Sequence, residues 1–169
     1  MRFTGINIVR YFSTKSFFMS NFNQKAIERL NHLTAIANDG KYGYENAGED
    51  VKDITLKQIF RQYSLERARY AEELKKEVGR LGGSPDKGGG PLGVLHRTWM
   101  DIKSTVTSGD REAILKTCIT GEEAAVKAYT EVLDDENIAA NTRQIISQQL
   151  SGIQFALNSI RSLAESVKA

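Results

Sequence analysis

Apolar and small residues recur at alternating steps of three and four along five separate stretches of this chain. That spacing stacks them on one face of a helix and leaves the face in need of partners. From Asn23, read as an N-cap, the first stripe passes through Leu30, Leu33, Ala37, Gly40, Tyr44, Ala47 and Val51. It keeps its register through Asn38-Asp39-Gly40, so one continuous helix is expected despite a turn-like tripeptide. The second stripe runs Leu56, Ile59, Tyr63, Glu66 and Tyr70. It opens on the capping-box pattern Thr55-Leu56-Lys57-Gln58 and ends near Leu81 at Gly82-Gly83. A shorter third stripe holds Leu92, Leu95, Trp99, Ile102 and Val106, and Thr107-Ser108-Gly109-Asp110 stops it and caps the next. The fourth, over 110–134, carries Leu115, Cys118, Glu122, Ala125, Tyr129 and Val132. The fifth starts between Asn137 and Asn141 and carries Ile146, Gln149, Ile153, Ala156, Ile160, Leu163 and Val167. Four long amphipathic helices and one short one predict an all-α four-helix bundle of two helical hairpins, with the short segment in the crossover between them.

Composition narrows the function. A chain of 169 residues forms one domain, and no uncharged apolar run reaches the roughly 18 residues of a membrane helix. One cysteine, Cys118, forms no internal disulfide, and two histidines supply no His-rich metal cage. The first 18 residues hold Arg2, Arg10 and Lys15 and no acid. Without those three, 20 of the 23 basic residues face 21 acidic ones, so no basic excess points to nucleic acid. Residues 1–22 therefore read apart from a bundle at 23–168, as a leader, a disordered tail or an over-long start with Met19-Ser20 as the true beginning. The basic, acid-free 1–18 also fits an organellar transit peptide, an organellar alternative to the cytoplasmic expectation. Gly88, Gly90 and Gly93 match GxGxxG, but they follow a helix and enclose Pro91, which argues against dinucleotide binding. The phosphate-loop pattern is absent.

The stripes are interrupted by polar residues at three places. Glu66, Glu122 and Gln149 each stand where the spacing points inward, and buried carboxylates are costly unless paired. A shared polar layer midway along the bundle is the expectation. Tyr44, Tyr63, Tyr70 and Tyr129 are core positions whose hydroxyls join the same network. Cys118 reads as a small hydrophobe and His32 as a surface partner of Glu28. No Ser-His-Asp or Cys-His constellation assembles.

From Ala26 to Leu163 the chain resembles an uncharacterised bacterial family of ferritin-like four-helix-bundle proteins, a domain of unknown function. The resemblance is carried by DGKYGYENAGEDV (39–51), ERARYAEELKKEVGRLGG (66–83), LHRTWMDIK (95–103) and GEEAAVKAY (121–129). It implies a fold related to ferritins and no established activity. Ferritin-like di-iron sites use helix glutamates and Glu-x-x-His motifs. Carried over by position, Glu66 matches the glutamate of the second helix, Glu122 that of the next core helix, and Gln149 a glutamine some ferritins place in the last. The pattern departs where Arg69 stands in place of His, and where the first helix puts no acid on its stripe, Glu45 falling beside Tyr44. Arg69 stays protonated and ligates no cation, so it is expected to pair Glu66 and Glu122.

These readings give a metal-free polar core layer of Glu66, Arg69, Glu122 and Gln149, with no catalytic residue and no cofactor. The alternative is a degenerate carboxylate site binding iron or manganese through Glu45, Glu66 and Glu122. The expected role is a non-enzymatic, stress-associated bacterial protein of the cytoplasm. It self-associates as a homo-oligomer through the stripe around Trp99, with no nucleic acid or membrane partner. An oxygen-reactive di-metal protein is one alternative, and an adaptor docking a protein partner on the glycine-rich loop 82–91 is another.

Overall fold

The helices of this chain are delimited by short polar residues and glycines. In the computed structural model residues 6–85 and 110–166 are described, with side chains from residue 21 onward, Asp50 excepted. They form α1 (Ile6–Asp50), α2 (Ile54–Arg80), α3 (Arg111–Leu133) and α4 (Ala140–Ser166). α1 is continuous through Asn38-Asp39-Gly40, as its stripe requires. It begins at Ile6 rather than at the expected cap Asn23, because no proline or glycine between them interrupts the backbone hydrogen bonds.

α2 is capped two residues earlier than the Thr55 pattern suggests. Asp53, in extended conformation, accepts from the backbone N–H of Thr55 and Leu56 at 2.9 and 3.1 Å. A carboxylate in that place opposes the positive end of the helix dipole, so it takes the cap from the neutral hydroxyl. The helix stops at the glycine pair as expected: Gly82 adopts φ 83°, and Gly83 N–H returns to the Val78 carbonyl. Asp110 caps α3 through Glu112 and Ala113. Beyond α3, the Arg143 guanidinium donates to the Leu133, Asp135 and Ile138 carbonyls and closes the turn into α4.

Contacts between these ends define the topology. Gly83 abuts Ile27 and the Asn31 amide donates to the Ser84 carbonyl, so α2 returns antiparallel along α1. The Arg111–Asp53 ion pair sets the start of α3 beside the start of α2. The chain therefore passes from one end of the bundle to the other between α2 and α3, a distance of about 40 Å for a helix of this length. Arg29 bonds Asp135 at 2.9 Å and Thr142 bonds Glu77, which places the α3–α4 turn back at the first end. Two hairpins, α1·α2 and α3·α4, thus dock with α1 against α3 and α2 against α4. α2 and α3 lie across the diagonal without close backbone approach.

Two apolar clusters fill the interior. One gathers Leu30, Leu33, Leu74, Tyr129, Ile146 and Ile153, and the other gathers Tyr44, Leu56, Phe60, Leu115, Cys118 and Ile160. The stripes expected for α1, α3 and α4 are buried as read, apart from Leu163, which is half-buried, and Val167, which lies outside the described residues. The same holds for the short segment around Trp99, the GxGxxG glycines and His96. Among the described residues no helix is long and apolar enough to cross a membrane.

Asp53 both caps α2 and pairs with Arg111, whereas Asp110 caps α3. Asp53→Ala is expected to lower the unfolding free energy by about 1–2 kcal/mol and Asp110→Ala by about 1 kcal/mol, as read by urea denaturation.

Candidate functional site

The buried face of α2 follows steps of four and three through Leu56, Phe60, Tyr63, Arg67, Tyr70 and Leu74. An arginine thus occupies a core position, its side chain 3% exposed. Such a residue persists only if its charge and its N–H donors are met. The Arg67 Nη2 donates to both oxygens of Glu122 at 2.8 Å, and Nη1 donates to Glu66 Oε1 at 2.8 Å. Glu122, on α3, is 1% exposed on its side chain, and the bond spans the diagonal of the bundle. The Arg67 stem passes Gly40 of α1, where a Cβ would stand 3.4 Å from its Cγ.

Tyrosines complete the layer. The Tyr44 hydroxyl donates to Glu122 Oε1 at 2.6 Å, and its ring leans on Phe60 and Tyr63 with centroids 5.6 and 5.4 Å away. Tyr70 lays its ring 5.4 Å from the guanidinium carbon and carries its hydroxyl toward α4. On α4, Gly152 lies against that hydroxyl so closely that any Cβ would overlap it. Gln149, also on α4, accepts from the Tyr129 hydroxyl at 3.0 Å and donates to the Tyr70 carbonyl at 3.3 Å and Glu73 Oε2 at 2.9 Å. All four helices therefore contribute to one connected polar layer between the two apolar clusters, with no buried side-chain donor or acceptor left unmet among the described residues.

Arg67 joins Glu66 and Glu122, though Glu66 lies at the wetter edge, 25% exposed, and Gln149 bonds Tyr129, the Tyr70 carbonyl and Glu73 rather than either of these glutamates. Arg69 is not part of the layer. Its side chain is 63% exposed and lies 3.7 Å from Glu73, because two residues beyond Arg67 is a turn of about 200° around the helix axis. Arg67 makes the bonds assigned to Arg69. Glu45 is exposed at the rim of a groove of about 430 Å³ between α1 and α2, beside Glu49, Lys57 and Arg61. The ligand set Glu45, Glu66 and Glu122 is therefore not assembled. Among the described residues no group of three or more His, Cys, Asp or Glu is placed to hold a metal ion. A second polar junction was not foreseen: Glu77, buried near the end of α2, accepts from Thr142 of α4 and from Arg80 at 2.8 and 2.7 Å. The signal for both was the seven-residue spacing Phe60, Arg67, Leu74 and Tyr63, Tyr70, Glu77.

Charge in the layer follows from its burial. Desolvation opposes the Arg67 charge, but Glu122, with Tyr44 and Glu66, more than offsets it and holds the guanidinium's pKa above its ordinary value. Burial first, and then the Glu122 charge, pushes the Tyr44 phenol well up, and the same two causes raise the Cys118 thiol. Burial and Glu66 push Tyr70 up to about 12. At neutral pH these phenols and this thiol are protonated and act neither as nucleophiles nor as bases. At the second junction the Arg80 hydrogen bond holds Glu77 below the usual carboxylate range.

Residues 25–135 match the model of a family described as a domain of unknown function (DUF2383). The chain belongs to this family. Comparison with curated proteins gives no match. Among solved structures the chain is similar to the bacterioferritin of Desulfovibrio desulfuricans, determined for its diiron site in different catalytic states. The two share 19% identity at a TM-score of 0.75, over 89% of this chain and 84% of that one. This likeness is one of fold, and it establishes the four-helix bundle expected from the stripes and the relation to ferritins implied by the resemblance.

The residues of this DUF2383 bundle do not fit a carboxylate-bridged metal pair. Both Glu122 oxygens already accept from a permanent cation, one of them also from Tyr44, and among the described residues no imidazole enters the layer. Removing one partner of a buried pair strands the other, so Arg67→Ala is expected to cost about 3–5 kcal/mol in chemical denaturation, while Arg67→Met combined with Glu122→Leu recovers most of it. The raised phenol values set a second expectation. Stability from Tyr44 and Tyr70 is fully present below the unfolded phenol value near 10 and is lost as pH rises through the raised folded values, about 12 for Tyr70. Phenolate absorbance from the buried tyrosines should therefore appear together with loss of helical circular dichroism.

Proposed function

We propose that this DUF2383 protein is a non-enzymatic ferritin-like bundle whose most deeply buried carboxylate, Glu122, is paired with a side chain rather than with a metal. The observation that carries this reading is the Arg67 Nη2 placed 2.8 Å from each oxygen of Glu122. Chemistry on a substrate needs a group that gains or loses a proton near neutral pH, a free nucleophile or an open coordination position. The tyrosines and Cys118 stay protonated, Arg67 stays charged, and Glu122 is enclosed by its own partners. What the layer does supply is a fixed crossing of four helices, which suits a scaffold.

The competing reading is a degenerate iron or manganese site on the same glutamates. Metal analysis of protein purified without chelator separates the two. The expected content is well below one metal per chain and unchanged in Glu122→Ala, whereas stoichiometric iron or manganese that disappears in that variant would overturn the proposal.

A further inference from the structure

The glutamates of the central layer are held by a cation that belongs to the chain. Two carboxylates, of Glu66 and Glu122, share the single guanidinium of Arg67. The Nη2 atom lies at equal distance from the two Glu122 oxygens, which is the position a cation takes on a carboxylate that chelates it. Nη1 reaches the second carboxylate from the same planar group. The oxygens around the guanidinium, from Glu66, Glu122 and the Tyr44 phenol, are hard donors of the kind that magnesium and manganese prefer.

From this geometry we infer that Arg67 is the residue that excludes divalent cations from the DUF2383 bundle, standing by charge and by volume where an oxygen-ligated cation would bind between Glu66 and Glu122. The inference rests on the reading of a metal-free layer. Shape and charge act together. The guanidinium fills the space, and its fixed charge repels any ion entering between the carboxylates. A neutral, shorter side chain leaves two carboxylates that a divalent ion compensates. Arg69 has no part in the exclusion, since it projects from the bundle toward Glu73.

The test uses full-length protein stripped with chelator and titrated with manganese chloride. Wild type is expected to show no more than about 1 °C of thermal stabilisation, and Arg67→Ala about 5 °C or more at saturating manganese, with stoichiometric uptake. Arg67→Lys keeps the charge and should remain unresponsive, Arg67→Gln should respond, and Arg67→Ala combined with Glu122→Gln should lose the response. If Arg67→Ala is unfolded alone, recovery of helicity on adding manganese is the supporting result. No response in either Arg67→Ala or Arg67→Gln overturns the inference and leaves the metal-free reading standing. A wild type that itself binds manganese and is stabilised by it overturns both.

Discussion

Everything in this molecule is arranged around a guanidinium held between two carboxylates where hydrocarbon would otherwise be. The Arg67–Glu122 pair crosses the one diagonal of the bundle along which α2 and α3 make no close backbone contact. An aliphatic side chain from either helix would not bridge that gap with directional bonds. The pair links the two hairpins at mid-height and divides the apolar interior into two clusters. Buried ion pairs add little net stability over a well-filled apolar core, but they tolerate no unmatched partner. The consequence is positional: α2 and α3 have one register in which both Arg67–Glu122 N–H···O bonds are made at 2.8 Å.

The surrounding residues protect that geometry. Tyr44 occupies a Glu122 oxygen from α1, the Tyr70 ring lies against the Arg67 guanidinium, and Gly152 gives way so that the Tyr70 hydroxyl fits beside α4. Gln149 continues the network by tying Tyr129 of α3 to the Tyr70 carbonyl of α2. One turn from the end of α2, Glu77 repeats the device with Thr142 and Arg80, in a setting where Arg80 is half exposed. Both junctions tie α2 to a helix of the other hairpin. That arrangement resists sliding of one hairpin on the other more effectively than apolar contact, which is non-directional.

Likeness of fold to a bacterioferritin does not carry the chemistry of the centre with it. The bundle supplies four inward-facing stripes, and what stands on them decides whether charge is balanced by an ion or by a side chain. Here the stripes carry one arginine, one fully enclosed glutamate and tyrosines held protonated by burial.

Much of this was legible from residue spacing. Period alone placed α3 and α4, kept α1 unbroken through Gly40, and marked Glu122 and Gln149 as interior, because a helix repeats every 3.6 residues and the stripes are long enough to average out local exceptions. On α2, Leu56, Tyr63 and Tyr70 are buried as read, but Ile59 and Glu66 stand one residue before the buried Phe60 and Arg67, since both fit the spacing nearly as well and arginine is seldom buried. Arg69 was expected in the layer because it stands three residues beyond Glu66, where the Glu-x-x-His pattern puts its histidine. The sequence by itself determined the helices, their inward faces and the need for a counter-charge, all of which depend on local periodicity and the cost of burying a carboxylate. Only the tertiary structure decided which arginine answers that need, because the choice depends on the rotation of α2 about its axis against Glu122 on a helix 55 residues away in sequence.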